Sequence, residues 1–295
     1  MTRVLFDSDS GRLRLAQEAA GGLLSWAEGE SVDRETWQAL CEAGVVDRGR
    51  PHPAVAPAVD AMAEPVCLVF LHSATVEDGS GARAAGWMGA ESAALLLDAP
   101  EDMVELLSLS PVSVPAALAG VLGISPHPLP ASAEVRLPAK TVDELFSGEP
   151  QDGSLAGHPA LSAIGVSDAE DTFRWEVSTR WPDENGATCS GLLRVIDTPG
   201  GLWAVVDSDG RAAPGGSAPT GGNDANGNGT DGNGANGSLR NGDGRKNGIG
   251  LGRNSLWNLS PNGKGGPNGK GGGEVTLRPV SATAVWRLLI RQFPA

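Results

Sequence analysis

The sequence predicts an α/β fold of the α+β type in which one unit is used twice, giving a quasi-two-fold arrangement of a central antiparallel sheet flanked by helical bundles. Three observations predict it. First, LSLSPVSVPAALAGVL (Leu107 to Leu122) returns as VTLRPVSATAVWRLLI (Val275 to Ile290) at an offset of 168, with Leu109, Pro111, Val112, Ser113 and Ala116 matching Leu277, Pro279, Val280, Ser281 and Ala284. Each copy reads as an alternating strand, a Pro that ends it, a Ser able to cap, and a helix with one apolar face. Second, other pairs recur: His52-Pro53-Ala54 with His158-Pro159-Ala160, Asp98 with Asp207, and the run from Leu13 with the run from Val135. Third, residues 209–273 are dominated by Gly, Asn, Asp, Ser and Lys. The interval from Asp207 to Leu277 is far longer than that from Asp98 to Leu109, so the extra length entered the second copy where the composition changes. The expected organisation is one domain of two pseudo-repeats, 1–130 and 131–295, with 209–273 as a disordered loop in the last hairpin.

Taken in order, Val4, Phe6, Leu13 and Leu15 alternate as short strands, and Ala16 to Ala27 has helical spacing. A second helix starts at the Asp33 cap and stops near Gly44, and His52-Pro53 opens a third through Met62. Pro65 breaks it. Strands follow over Val66 to Ser73, Arg83 to Met88, Ala93 to Asp98 and Val104 to Leu109, and links this short imply an antiparallel meander. The second half repeats the scheme, with helices from Thr141 to Phe146 and after His158. In FRWEVSTRW, Phe173, Trp175, Val177 and Trp181 share one face and charges take the other. Asn185-Gly186 turns into Thr188 to Ile196, and Thr198 to Gly201 turns into Leu202 to Val206, which should pair with the strand starting at Glu274. Lengthening such a hairpin loop tenfold costs only about 2 kcal/mol in closure entropy.

Charge is unevenly spread over the net −14: residues 1–208 carry 12 basic and 31 acidic side chains, residues 209–273 carry 7 and 4, and the last 22 carry 3 and 1. An acidic body repels phosphate backbones, so nucleic acid is not an expected partner. Cys41, Cys67 and Cys189 lack metal-ligand spacing, and MTRVLFDSDS has no secretory apolar region, which fits a cytoplasmic protein. The uncharged run Leu106 to Ala133 has the length of a membrane span, but five prolines interrupt it and its second copy carries arginines, so it reads as buried strand plus helix.

Catalytic patterns fail on context. Gly227, Gly229 and Gly232 fit a dinucleotide fingerprint with no strand before or helix after, and neither Lys264 nor Lys270 precedes the Ser or Thr of a P-loop. His52, His72, His127 and His158 lack Cys, His or carboxylate neighbours at ligand spacing. No catalytic residue, cofactor or metal is expected. From the residues alone, Trp175 and Trp181 are candidate partner anchors, and IGLGRNSLWNL (Ile249 to Leu259), with Trp257, is a candidate docking motif within the loop.

The AG-x-x-x-x-G-x-PHP segment ending at Pro53, the GLWAVV strand at Gly201 to Val206 and the terminal LRPVSATAVWRLL of Leu277 to Leu289 resemble the EspG family of type VII (ESX) secretion-associated proteins. The resemblance implies a cytosolic specificity chaperone without cofactor or catalysis. It would bind a secreted helical protein, PE/PPE-like or WxG-type, and keep it soluble. It also implies a contact through the turn between the second and third strands, here Thr75 to Gly81 with Val76, Glu77, Asp78 and Gly79 at its tip. The alternative is a small-molecule-binding or hydrolytic α/β protein, which requires a deep pocket with convergent polar groups.

Overall fold

The computed structural model describes residues 2–75, 81–130, 133–147, 158–166, 172–206 and 273–294. Strands β1 (Val4–Asp7) and β2 (Arg12–Ala16) lead into helices α1 (Gln17–Ala27), α2 (Arg34–Glu42) and α3 (Ala56–Ala63), with a small hairpin, β3 (Val46–Asp47) and β4 (Arg50–Pro51), between the last two. The meander β5 (Cys67–Thr75), β6 (Arg83–Met88), β7 (Ala93–Ala99) and β8 (Met103–Leu109) passes through a 3-10 turn, Pro111–Ser113, into α4 (Val114–Val121). The second half has β9 (Val135–Pro138), α5 (Ala139–Phe146), α6 (Pro159–Ala163), a second meander of β10 (Phe173–Pro182), β11 (Thr188–Thr198), β12 (Gly201–Val206) and β13 (Glu274–Val280), and α7 (Ala282–Ile290). Asp33 caps α2 by accepting the Thr36 amide at 2.9 Å, as its position predicts.

Eleven strands form one antiparallel sheet in the order β1-β2-β8-β7-β6-β5-β10-β11-β12-β13-β9. Without the extra edge strand β1, this order is a palindrome about the β5–β10 seam, where Leu71 pairs with Val177. Strands β2, β5, β6, β7 and β8 of the first half therefore have counterparts in β9, β10, β11, β12 and β13. One face of the sheet carries two separate apolar cores: one under α1–α3 built on Leu13, Leu68, Trp87 and Leu96, the other under α5 and α6 built on Leu137, Ile196, Trp203 and Leu277. The opposite face carries a single core that crosses the seam beneath α4 and α7, from Val69 and Leu71 to Trp175, Val177 and Val195.

The ladders correct the repeat read from the sequence. Leu109 pairs with Ala93, and Val280 pairs with Leu202, the counterpart of Ala93, so Leu109 corresponds to Val280 and not to Leu277. Burial agrees. Val114 and Leu118 of α4 match Val285 and Leu289 of α7 in the shared core, at an offset of 171 rather than 168. The offset of 168 would exchange faces, because Leu109 packs in the shared core and Leu277 in the core under α5 and α6. The extra length in the second copy is accordingly somewhat greater than the offset of 168 implies.

Two smaller expectations change with it. Pro279 does not end its strand but lies within β13, beyond the four residues that pair with β9, where its missing N–H leaves no ladder bond unmade. The serine matching Ser281 is Ser110. Ser281 accepts the Ala284 amide at 3.2 Å, whereas neither Ser110 nor Ser113 makes a side-chain cap.

Candidate partner-binding surface

The seam sets the site. At its end Thr75 pairs with Phe173, immediately before the β5–β6 turn. Val76, Glu77, Asp78 and Gly79 lie outside the described residues, but the base of their turn is described. Ser73 donates its amide to the Ala82 carbonyl at 2.8 Å, and its hydroxyl accepts the Ala82 amide at 3.1 Å. A Cβ on Gly81 would sit 1.8 Å from the Ser73 carbonyl oxygen, so only glycine fits there.

Beside this turn Phe173 is 46 % exposed, having run past the cover that α4 and α7 give the rest of its face. The sequence pattern placed Phe173 with Trp175 and Trp181 but could not show where the covering helices stop. Trp175 is 2 % exposed and belongs to the shared core, which corrects its reading as an anchor: its ring supports the seam and offers no surface. Trp181 is half-buried against the same core. Trp257 lies outside the described residues.

The segment linking the two halves passes the same end of the sheet. Leu129 on it is 64 % exposed. His127 Nε2 lies 3.2 Å from Asp197, the β11 partner of Phe173, and His127 Nδ1 lies 2.9 Å from the Ser125 carbonyl. Both ring nitrogens thus lie against oxygen atoms. Burial raises the Asp197 carboxyl above the usual range, and the charge of His127 works against that rise. The contact is close because Gly201, at φ +131°, lets the strap touch β12; a Cβ there would lie 2.6 Å from the Pro128 carbonyl oxygen.

On the other face, the gap between the two separate cores holds charge. Arg194 of β11 reaches Glu176 of β10 at 2.5 Å and Asp143 of α5 at 2.7 Å, with its guanidinium 5.3 Å from the Phe146 ring centroid. Burial pulls the Arg194 pKa down, and the two carboxylates outweigh it, so the guanidinium stays charged. Arg174 is 1 % exposed; its Nη1 donates to the Leu145 carbonyl, and its Nε has no partner among the described residues. Burial lowers the Arg174 pKa, and burial followed by the Arg174 charge lowers that of His72.

This strip orders a sheet but does not assemble an acid, a base and a nucleophile. The Cys67 thiol is pushed up to about 12 by burial and so stays protonated. Among the described residues no group of three His, Cys, Asp or Glu could hold a metal ion, and no helix is long and apolar enough to cross a membrane.

The sequence pattern that defines the EspG family matches residues 21–220, about two thirds of the chain, from within α1 to just past β12. The chain belongs to the EspG family. Membership gives it an ESX secretion-associated role. No curated protein matches the sequence. The EspG match ends ahead of β13 and α7, so the strand-helix unit that closes the second half lies outside it.

Proposed function

We propose that this EspG-family chain is a cytosolic specificity chaperone of a type VII secretion system. It would hold the aggregation-prone part of a secreted helical protein, PE/PPE-like or WxG-type, soluble until export. The family match carries this reading. The exposed Phe173 beside the β5–β6 turn supports it, because a large apolar side chain at the rim of a rigid sheet is a typical protein-binding anchor. Binding requires neither cofactor nor turnover.

The test is co-expression with a helical-hairpin secreted protein encoded beside the gene. The expected result is a soluble complex that survives size-exclusion chromatography, with the partner insoluble alone. Phe173→Asp is expected to weaken binding by about tenfold or more, since truncated anchors cost about 2 kcal/mol. A partner equally soluble with and without the chain would refute the chaperone role.

A further inference from the structure

The two faces of the sheet differ in charge as well as in cover. Residues 17–64, which form α1–α3 and their links, carry nine acidic and three basic side chains. The opposite layer has no carboxylate at all: residues 110–130, including α4, contain no Asp, Glu, Lys or Arg, and residues 281–294, including α7, contain only Arg287 and Arg291. These two arginines stand one helical turn apart, both exposed, and neither has a carboxylate within ion-pair distance among the described residues. Ile290 between them is 45 % exposed, and Val112 in the 3-10 turn ahead of α4 is 87 % exposed. The helices touch each other, and Val114, Leu118, Val285 and Leu289 fill one core beneath them, so the exposed Val112 and Ile290 belong to one layer that carries cations and no carboxylate.

We propose that the α4–α7 surface is a docking site for an amphipathic helix of a partner protein, with an apolar stripe that meets Val112, Trp286 and Ile290 and an acidic flank that meets Arg287 and Arg291. Charge selects this occupant. A second copy of the chain would bring the same two cations and no carboxylate to the contact. The chain's own tract 209–273 is net +3, from 7 basic and 4 acidic residues, and so offers these arginines no surplus of carboxylate. A polyanion such as nucleic acid would meet only two cations on a body of net −14 and would leave the apolar residues uncovered. A helix bearing carboxylates satisfies the arginines and covers the apolar residues in one step. As a binding surface for a secreted helical substrate, the proposal rests on the chaperone reading above; the surface chemistry itself does not.

The experiment uses the full chain and two labelled synthetic 18-residue peptides with the same leucine stripe, one flanked by glutamates and the other by lysines. By fluorescence anisotropy in low salt, the glutamate peptide is expected to bind about tenfold more tightly than its lysine twin. Arg287→Glu with Arg291→Glu should invert that preference, Val112→Asp should weaken both peptides, and Glu42→Lys on exposed α2 should change neither. Unaltered thermal unfolding of the arginine variant shows that it is folded. Equal affinity for the two peptides, indifference to the arginine reversal, or binding only to anionic phospholipid vesicles overturns the proposal. The co-expressed secreted partner separates it from the chaperone reading. If that partner binds wild type and the arginine variant alike, the docking surface is wrong and the chaperone reading stands. If peptide discrimination holds while no secreted partner binds, the surface stands and the chaperone reading falls.

Discussion

Three positions on neighbouring strands show how differently the two halves fill one backbone plan. The first half places Leu68, Phe70 and Ala85 where the second places Arg174, Glu176 and Arg194. In the first, apolar side chains merge with the core under α1–α3; in the second, a buried ion pair and an arginine held by a backbone carbonyl occupy the same ladder positions. The sheet geometry is therefore indifferent to what these side chains are, provided each set is complete. Completeness is the costly part, because a buried charge that loses its partner is far worse than no charge.

The sharpest way to break the comparison is Glu176→Leu, which leaves Arg194 with only the more exposed Asp143 and should cost about 3–5 kcal/mol. Installing the first-half set, Arg174→Leu with Glu176→Phe and Arg194→Ala, should return stability to within about 1–2 kcal/mol of wild type. Urea midpoints at unchanged m-value report both, and a triple variant as unstable as the single one would show that the halves are not interchangeable.

A second exchange lies one strand further out. Gly86 opposite Leu95 corresponds to Val195 opposite Ala204, so the same space is filled from one strand in the first half and from its neighbour in the second. Trp87 opposite Ala94 and Ile196 opposite Trp203 trade the bulk in the same way. Gly86→Val should cost about 1–3 kcal/mol, because its added carbons meet Leu95 Cδ2, 2.5 Å from an ideal Cβ. Leu95→Ala should cost about 2–5 kcal/mol. The double variant recreates the second-half pair and should cost clearly less than the sum, measured as a double-mutant cycle. Additive losses would mean that the two cross-strand pairs are not equivalent.

The connections differ most in length. Residues 100–102 join β7 to β8, and residues 207–273 join β12 to β13. Replacing the long link by a short hairpin turn should stabilise the chain by about 2 kcal/mol through closure entropy, read as a rise in thermal midpoint, with the Val206 to Thr276 pairing preserved. The smallest contrast is at the helix starts: Ser281→Ala should cost about 1 kcal/mol in chemical denaturation, and Ser110→Ala only a few tenths.

Most of the fold was legible because its signals are local. Alternation marked the strand of FRWEVSTRW, a continuous apolar run marked that of CLVFL, Asp33 marked a cap, and Asn185-Gly186 marked a turn, where Gly186 takes φ +80°. Register was not local. Matching Leu109 to Leu277 satisfied residue identity, yet which face a leucine serves is decided by Ala93 and Leu202 across the ladder. β9 and the β3–β4 hairpin were missed because runs of four and two residues carry too little periodicity. At the surface, alternation singled out Trp175 and Trp181, but whether an aromatic ends up as core or as anchor depends on how far a distant helix reaches. Trp175 belongs to the core that α4 and α7 close, and Phe173, its neighbour on the same side of β10, is left 46 % exposed.

The seam between β5 and β10 has one further consequence. On one face a single core bridges it; on the other, two cores stop short of it on either side. Transient opening should thus detach α1–α3 or α5–α6 separately while α4, α7 and the central strands remain closed. Amide protons around Leu71 and Val177 would then be the slowest to exchange with solvent deuterium, and the molecule would behave as a fixed spine with two independently fraying shoulders.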